Sequence, residues 1–146
     1  MRLCLILLVS LVAATSASAL AGGTAPTVFT PAQVQWAAGK GPLAGTQVAA
    51  LFGDPAKPGP FVLRLRIPDG GSFGPHSHPV IENVTVLQGT LLIGVGDKVD
   101  KAKMVALPTG SFFSVPANVH HYAMAKGETI VQLNDNGPWA MTMVKM

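Results

Sequence analysis

Cysteine is almost missing from this chain: of its 146 residues only one, Cys4, is a cysteine. Cys4 lies in a leader that the sequence marks for removal, so the mature chain has none. That excludes disulfides, a thiolate nucleophile and a cysteine metal site. It also makes the protein indifferent to the redox state outside the cytoplasm. Charge is scarce too. Without Arg2, nine Lys and Arg stand against seven Asp and Glu, a balance of +2. This is too weak and too scattered to argue for nucleic acid. The mixed-sign run Asp97-Lys98-Val99-Asp100-Lys101-Ala102-Lys103 is expected as a solvated loop. The chain also lacks a fixed-period repeat, a low-complexity tract and any sign of a second domain.

The leader is the first thing present. Met1-Arg2 is a short basic start, Leu3 to Ala14 is apolar apart from Ser10, and small residues follow. This is the layout of a secretory signal peptide, and the apolar run is shorter than the roughly 20 residues of a spanning helix. Cleavage is expected after Ala19 or Ala21. No cysteine stands at the cleavage region, which argues against a lipid-anchored form. The expected organisation is a signal peptide over residues 1–21 and one domain over 22–146. The protein is then periplasmic or secreted, with no membrane span after cleavage.

Twelve prolines and sixteen glycines cut the chain into short runs and exclude long helices. Thr30-Pro31 opens one helical turn. The rest reads as all-β, with strands at 47–52, 61–67, 83–87, 90–95, 104–107, 112–115, 121–125, 129–133 and 140–144. Gln88-Gly89 is expected to close a hairpin, with a positive φ at Gly89. Lys126-Gly127-Glu128 and the run from Asn134 to Pro138 are expected as turns. Short strands at this spacing suggest a sandwich or small barrel. In Phe61–Ile67 the odd positions are apolar, which sets Arg64 and Arg66 on the opposite face.

All four histidines fall in two clusters, His76-Ser77-His78 and His120-His121. Side chains alternate along a strand, so His76 and His78 share a face if extended. Glu82 has the same parity and joins them if the strand continues or bends gently. Two imidazoles and a carboxylate make a mixed nitrogen and oxygen site for a divalent metal. A third imidazole from the second cluster completes a set suited to manganese, iron, zinc, nickel or copper. Spacing alone does not say whether His120 or His121 supplies it.

The first cluster reads Gly70, five residues, His76, one, His78, three, Glu82, six, Gly89. This resembles the first cupin motif. The second reads Gly110, five residues, Pro116, one, Asn118, two, His121, and resembles the second cupin motif. Two departures occur: Asn118 replaces a motif glycine, a mild change because asparagine tolerates a left-handed backbone, and Ala125 replaces the closing asparagine. The resemblance implies a single cupin-type jelly-roll β-barrel with one divalent metal ion inside its open end. It implies His76, His78, Glu82 and His121 as ligands. His120 is then left on the other strand face or at the mouth, in reach of a role behind the ligands. Phe73, Phe113, Met124, Trp139, Met141 and Met143 are candidates to line the pocket. No Lys or Arg is placed there, so an acidic substrate is not indicated. The resemblance also allows a homodimer, since barrels of this family often pair through their sheets.

Three functions are compatible with this set. The first is a metal-dependent oxygenase or isomerase acting on a small organic molecule. The second is a non-catalytic module that binds a small ligand or metal. In the third the metal is a structural staple. Catalytic residues beyond the ligand set are not legible, because the remaining carboxylates fall mostly in turn-like segments.

Overall fold

The computed structural model describes residues 25–145. The expected signal peptide and its cleavage points lie outside the described residues. Strands β1 (Ala37–Ala38), β2 (Gln47–Phe52), β3 (Gly59–Ile67), β4 (Ser72–Ser77), β5 (Glu82–Val95), β6 (Val105–Pro108), β7 (Phe112–Val115), β8 (His121–Gly137) and β9 (Thr142–Met143) follow in chain order. Three short 3₁₀ turns interrupt them. In the first, Pro31–Gln33, the Thr30 N–H and Oγ1 both donate to Gln33 Oε1.

The architecture depends on two long strands. The first half of β5 lies between β7 and the second half of β8, and β3, β2 and β1 extend that layer. The second half of β5 lies between β6 and the first half of β8, followed by β4 and β9. One continuous sheet thus folds over itself into the two layers of a jelly roll. The core is the space between them, filled by alternate residues of β3 (Phe61, Leu63, Leu65, Ile67) and of β8 (Ala123, Ala125, Val131, Leu133).

This corrects the expected hairpin at Gln88-Gly89. Gly89 has the expected positive φ of 76°, but the chain continues in the same direction as a single strand. The pairing with β8 shifts on either side of Gln88, as a β-bulge requires. The inward set of β5 accordingly switches from even positions (Glu82, Val84, Val86) to an odd one (Leu91). A bulge explains the switch, whereas a hairpin would reverse the strand. The expected turns at Lys126-Gly127-Glu128 and Asn134 to Gly137 are likewise part of β8. There Gly127 takes a φ of 74° and the ladder to β3 continues to Gly59↔Gly137. Strand β4 was not expected as an element. The expected strand at 140–144 shrinks to the two residues of β9.

A metal-type histidine cluster between the two sheet layers

Local irregularity sets the direction of each side chain. In β4 the pairing with β8 shifts between Phe73 and His76. That irregularity turns both residues inward although three positions separate them. His78 follows His76 by two and keeps its face. The chain then bends at Pro79-Val80 and crosses to the other layer, where Glu82 begins β5. Glu82 therefore reaches the histidines by a crossing between layers and not by continuing their strand. The second cluster is tied to the first, because the Asn118 N–H donates to the His78 carbonyl (2.8 Å). Asn118 takes a φ of 63°, the left-handed backbone anticipated for it in place of a glycine.

His76, His78, Glu82 and His121 converge, and all four are buried. The ligand atoms of the three histidines lie within 4.8 Å of one another, so together they can hold a metal ion. Glu82 faces two of them, with Oε1 3.2 Å from His78 Nε2 and Oε2 3.2 Å from His121 Nε2. Each imidazole is oriented through its other nitrogen. Nδ1 contacts the carbonyl of Gly74 in His76 (2.7 Å), of Ala140 in His78 (2.8 Å) and of Val119 in His121 (3.0 Å). A carbonyl only accepts, so these contacts assign the proton to Nδ1 and leave Nε2 with its lone pair in the neutral ring. This is the tautomer a metal-binding histidine needs, fixed by backbone carbonyls as such ligands usually are.

Electrostatics point the same way. Burial holds the His76 pKa down at about 4, a shift the neighbouring His121 and His78 reinforce. Burial also lowers His78. For His121 burial again pulls downward, but the bond to Glu82, the Val119 carbonyl and the Glu82 charge outweigh it and raise the pKa. A proton on His121 thus satisfies one side of Glu82. The other side has no such solution: His78 Nε2 is buried without a hydrogen bond, although a carboxylate oxygen lies 3.2 Å away. Two electron-rich atoms face each other there, and a cation is the species that would satisfy both. The donor set fits a divalent transition ion.

The other anticipated residues divide. Phe73, Phe113, Trp139 and Met141 line the cavity beside the cluster, and the Trp139 indole stacks on His78 (4.7 Å between centroids, 20° between planes). Met124 does not. It sits on the outer face of β8 and lines a different depression beside Met104 and Tyr122, because the inward positions of this strand are odd-numbered. Met143 is also outside the cavity lining and is 45% exposed. His120 points away from the cluster and pairs with Asp97 at 2.6 Å. Arg64 and Arg66 lie outside as anticipated, on Gln132 and Gln47 respectively, with Trp36 under the Arg66 guanidinium. The cavity holds about 30 Å³, room for one or two waters. Apart from His76, His121 and Glu82, its walls are apolar except for the Trp139 indole.

One participant was missed. Asp135, expected in a turn, is buried on β8 and accepts from both the Asn83 N–H and Nδ2 (2.8 Å each). It thereby fixes the backbone next to Glu82. Its odd parity with Val131 and Leu133 was the available signal, hidden by the turn-like composition around it.

A two-layer jelly roll with a trihistidine cluster between its layers defines a class of small β-barrel proteins able to hold metal. The comparisons give the family. Residues 63–135 match the Cupin domain family, and the chain belongs to it. Among solved structures the chain is similar to an RmlC-like cupin from Shewanella frigidimarina NCIMB 400, at 19% identity and TM-score 0.59, over 77% of this chain and 91% of that one. It is similar to KdgF from Halomonas sp. at 18% identity and TM-score 0.59, over 77% and 96%. The polyketide cyclase RemF from Streptomyces resistomycificus aligns at 15% identity and TM-score 0.67, over 84% and 87%. At these identities the likeness is one of fold. No curated protein matches the chain in sequence.

Proposed function

We propose that this cupin is an exported protein in which His76, His78 and His121, through Nε2, and Glu82 hold one divalent transition ion. We propose further that it acts on a small organic molecule as a metal-dependent oxygenase or isomerase. The observation that carries this reading is the set of three Nδ1–carbonyl contacts, which leave Nε2 as the available ring nitrogen in three clustered histidines, two of which face the Glu82 carboxylate. A bound ion would supply Lewis acidity and, if it is iron, manganese, nickel or copper, redox capacity. The chain's own residues orient the ligands through backbone carbonyls and surround the site with mostly apolar walls. No Lys or Arg lines the cavity, so no cationic side chain takes part in binding the substrate there.

Elemental analysis of the purified mature protein tests the centre. About one metal per chain is expected, lost in His76→Ala and His121→Ala. Metal-free wild-type protein with an intact fold would overturn it. Iron- and manganese-loaded protein is then screened against enediols, phenols and oxalate, with His78→Ala as control. A second reading, a non-catalytic binding module, is favoured by the scarcity of acid–base groups beside the ligand set. Ligand retained without product would select it. Export rests on the layout of residues 1–21 and is tested by the mature N-terminus, expected at Leu20 or Gly22.

A further inference from the structure

Trp139 is held in place from several sides. Its backbone N–H donates to the Pro55 carbonyl (2.7 Å), the next residue's carbonyl contacts His78 Nδ1, and its indole stacks on the His78 ring. The indole also borders the cavity beside the histidine cluster. Yet its one polar atom, Nε1, is sealed from solvent and has no acceptor among the described residues. A buried donor left unmade is rare and costly. Two other buried atoms also lack partners, but each belongs to a group satisfied elsewhere. Arg66 bonds Gln47 through Nη1, and Asp135 accepts two bonds through Oδ1. In Trp139 no such compensation exists. The other orphan, His78 Nε2, belongs to the very ring on which the indole stacks. A bare nitrogen lone pair and an unmet N–H thus belong to two stacked rings, of which the indole borders the cavity.

These two needs are opposite in kind. The lone pair calls for a cation and the N–H for an acceptor. An ion in the histidine cluster together with an oxygen-bearing anion beside it would meet both. We infer that Trp139 is a specificity-determining residue whose Nε1–H selects, at the centre proposed above, a small ligand presenting an anionic oxygen, such as a carboxylate or enolate. This rests on the metal reading of the cluster. The size of the cavity, about 30 Å³, limits the part that enters to a few atoms. The recognition is by a neutral donor, which agrees with the absence of Lys and Arg from the walls.

The probe is formate, added to Zn(II)-loaded protein labelled with ¹⁵N. The chain has two tryptophans, and Trp36, under Arg66 on the outer face, serves as the internal control. Formate is expected to shift the Trp139 indole N–H resonance downfield and slow its exchange, leaving Trp36 unmoved. Trp139→Phe keeps the stacked apolar ring and removes only the donor. Its Zn(II) affinity should stay within about threefold of wild type, while formate binding weakens about tenfold or more, the loss of one hydrogen bond to a charged group. Equal formate affinity in the two proteins, an unmoved Trp139 resonance, or no formate binding to zinc-loaded wild type would overturn the inference. Failure of wild type to take up Zn(II) would instead remove the centre itself, and the inference with it. Should Trp139→Phe not fold, the wild-type resonance still decides.

Discussion

Metal binding should release one proton near neutrality, although three histidines take part. Burial has already cleared His76, whose pKa is held at about 4, and it lowers His78 in the same way. Only His121, raised by Glu82, carries a proton that a metal must displace. One displaced proton weakens binding by up to tenfold per pH unit, so Zn(II) affinity should fall about 15- to 30-fold between pH 6.5 and pH 5. Three ordinary histidines over the same interval would lose roughly several thousand-fold. The sign for the metal-free fold follows from the same shifts. His121, a raised base, contributes stability that is present below pH 6.5 and is lost as pH rises through its folded pKa. His76, a depressed base, contributes stability that is present above 6.5 and is lost as pH falls toward about 4. Zn(II) competition against a chelator across this range measures the slope. Calorimetry at pH 6 in two buffers of different ionisation enthalpy counts the proton. Glu82→Gln removes the group that raises His121, so its affinity should be weaker overall but nearly flat from pH 6.5 to 5. A wild-type slope of two to three protons, or none, would refute the assignment of the proton to the His121–Glu82 pair.

Asp135→Ala should lower stability by about 1–3 kcal/mol, because it strands the two Asn83 donors. Asp135→Asn should instead melt higher than wild type at pH 7 but not at pH 4. Burial raises the Asp135 pKa, so its contribution is complete below 3.8 and is lost as pH rises through the folded value. Gly89→Ala should cost more than Gly127→Ala in urea unfolding. Both positions have positive φ, worth about 1–2 kcal/mol to a side chain. At Gly89, however, a Cβ also collides with the Glu128 carbonyl, while at Gly127 it meets open space. Gly94→Ala should destabilise by about 1–3 kcal/mol or more, since its Cβ meets the buried Tyr122 ring that Asp100 holds at both ends of the hydroxyl.

Where one residue reports on its own surroundings, the sequence was legible. The alternation in Phe61–Ile67 is buried as read, β2 (Gln47–Phe52) and β7 (Phe112–Val115) have the expected bounds, and Asn118 and Gly89 take positive φ. The failures share a cause. Gly89 and Gly127 carry turn chemistry but lie inside strands, and composition cannot tell a bulge from a hairpin when both need the same left-handed residue. Met124 was misplaced because its hydrophobicity suits a cavity wall, whereas its parity with Tyr122 sets it outside. Trp139 reaches His78 only through the return of the chain after β8, a contact 61 positions away that no local pattern carries.

That return and those bulges decide whether a centre can exist at all. Along the β5–β8 ladder, His121 pairs with Val95, thirteen residues beyond Glu82. In a flat sheet the two would stand about 43 Å apart. Their side chains are 3.2 Å apart because the sheet folds over between those points, near Gly89 and Gly127. Glu82 and His121 therefore do not approach along that ladder. They sit at its opposite ends, and the bulge at Gly89 changes which face of β5 looks inward. This allows Glu82 at one end and Leu91 beyond the fold to share a single interior. A residue that straightened β5 would separate Glu82 from His121 without touching either, and their ion pair with its raised imidazole would be lost together with the fold-over.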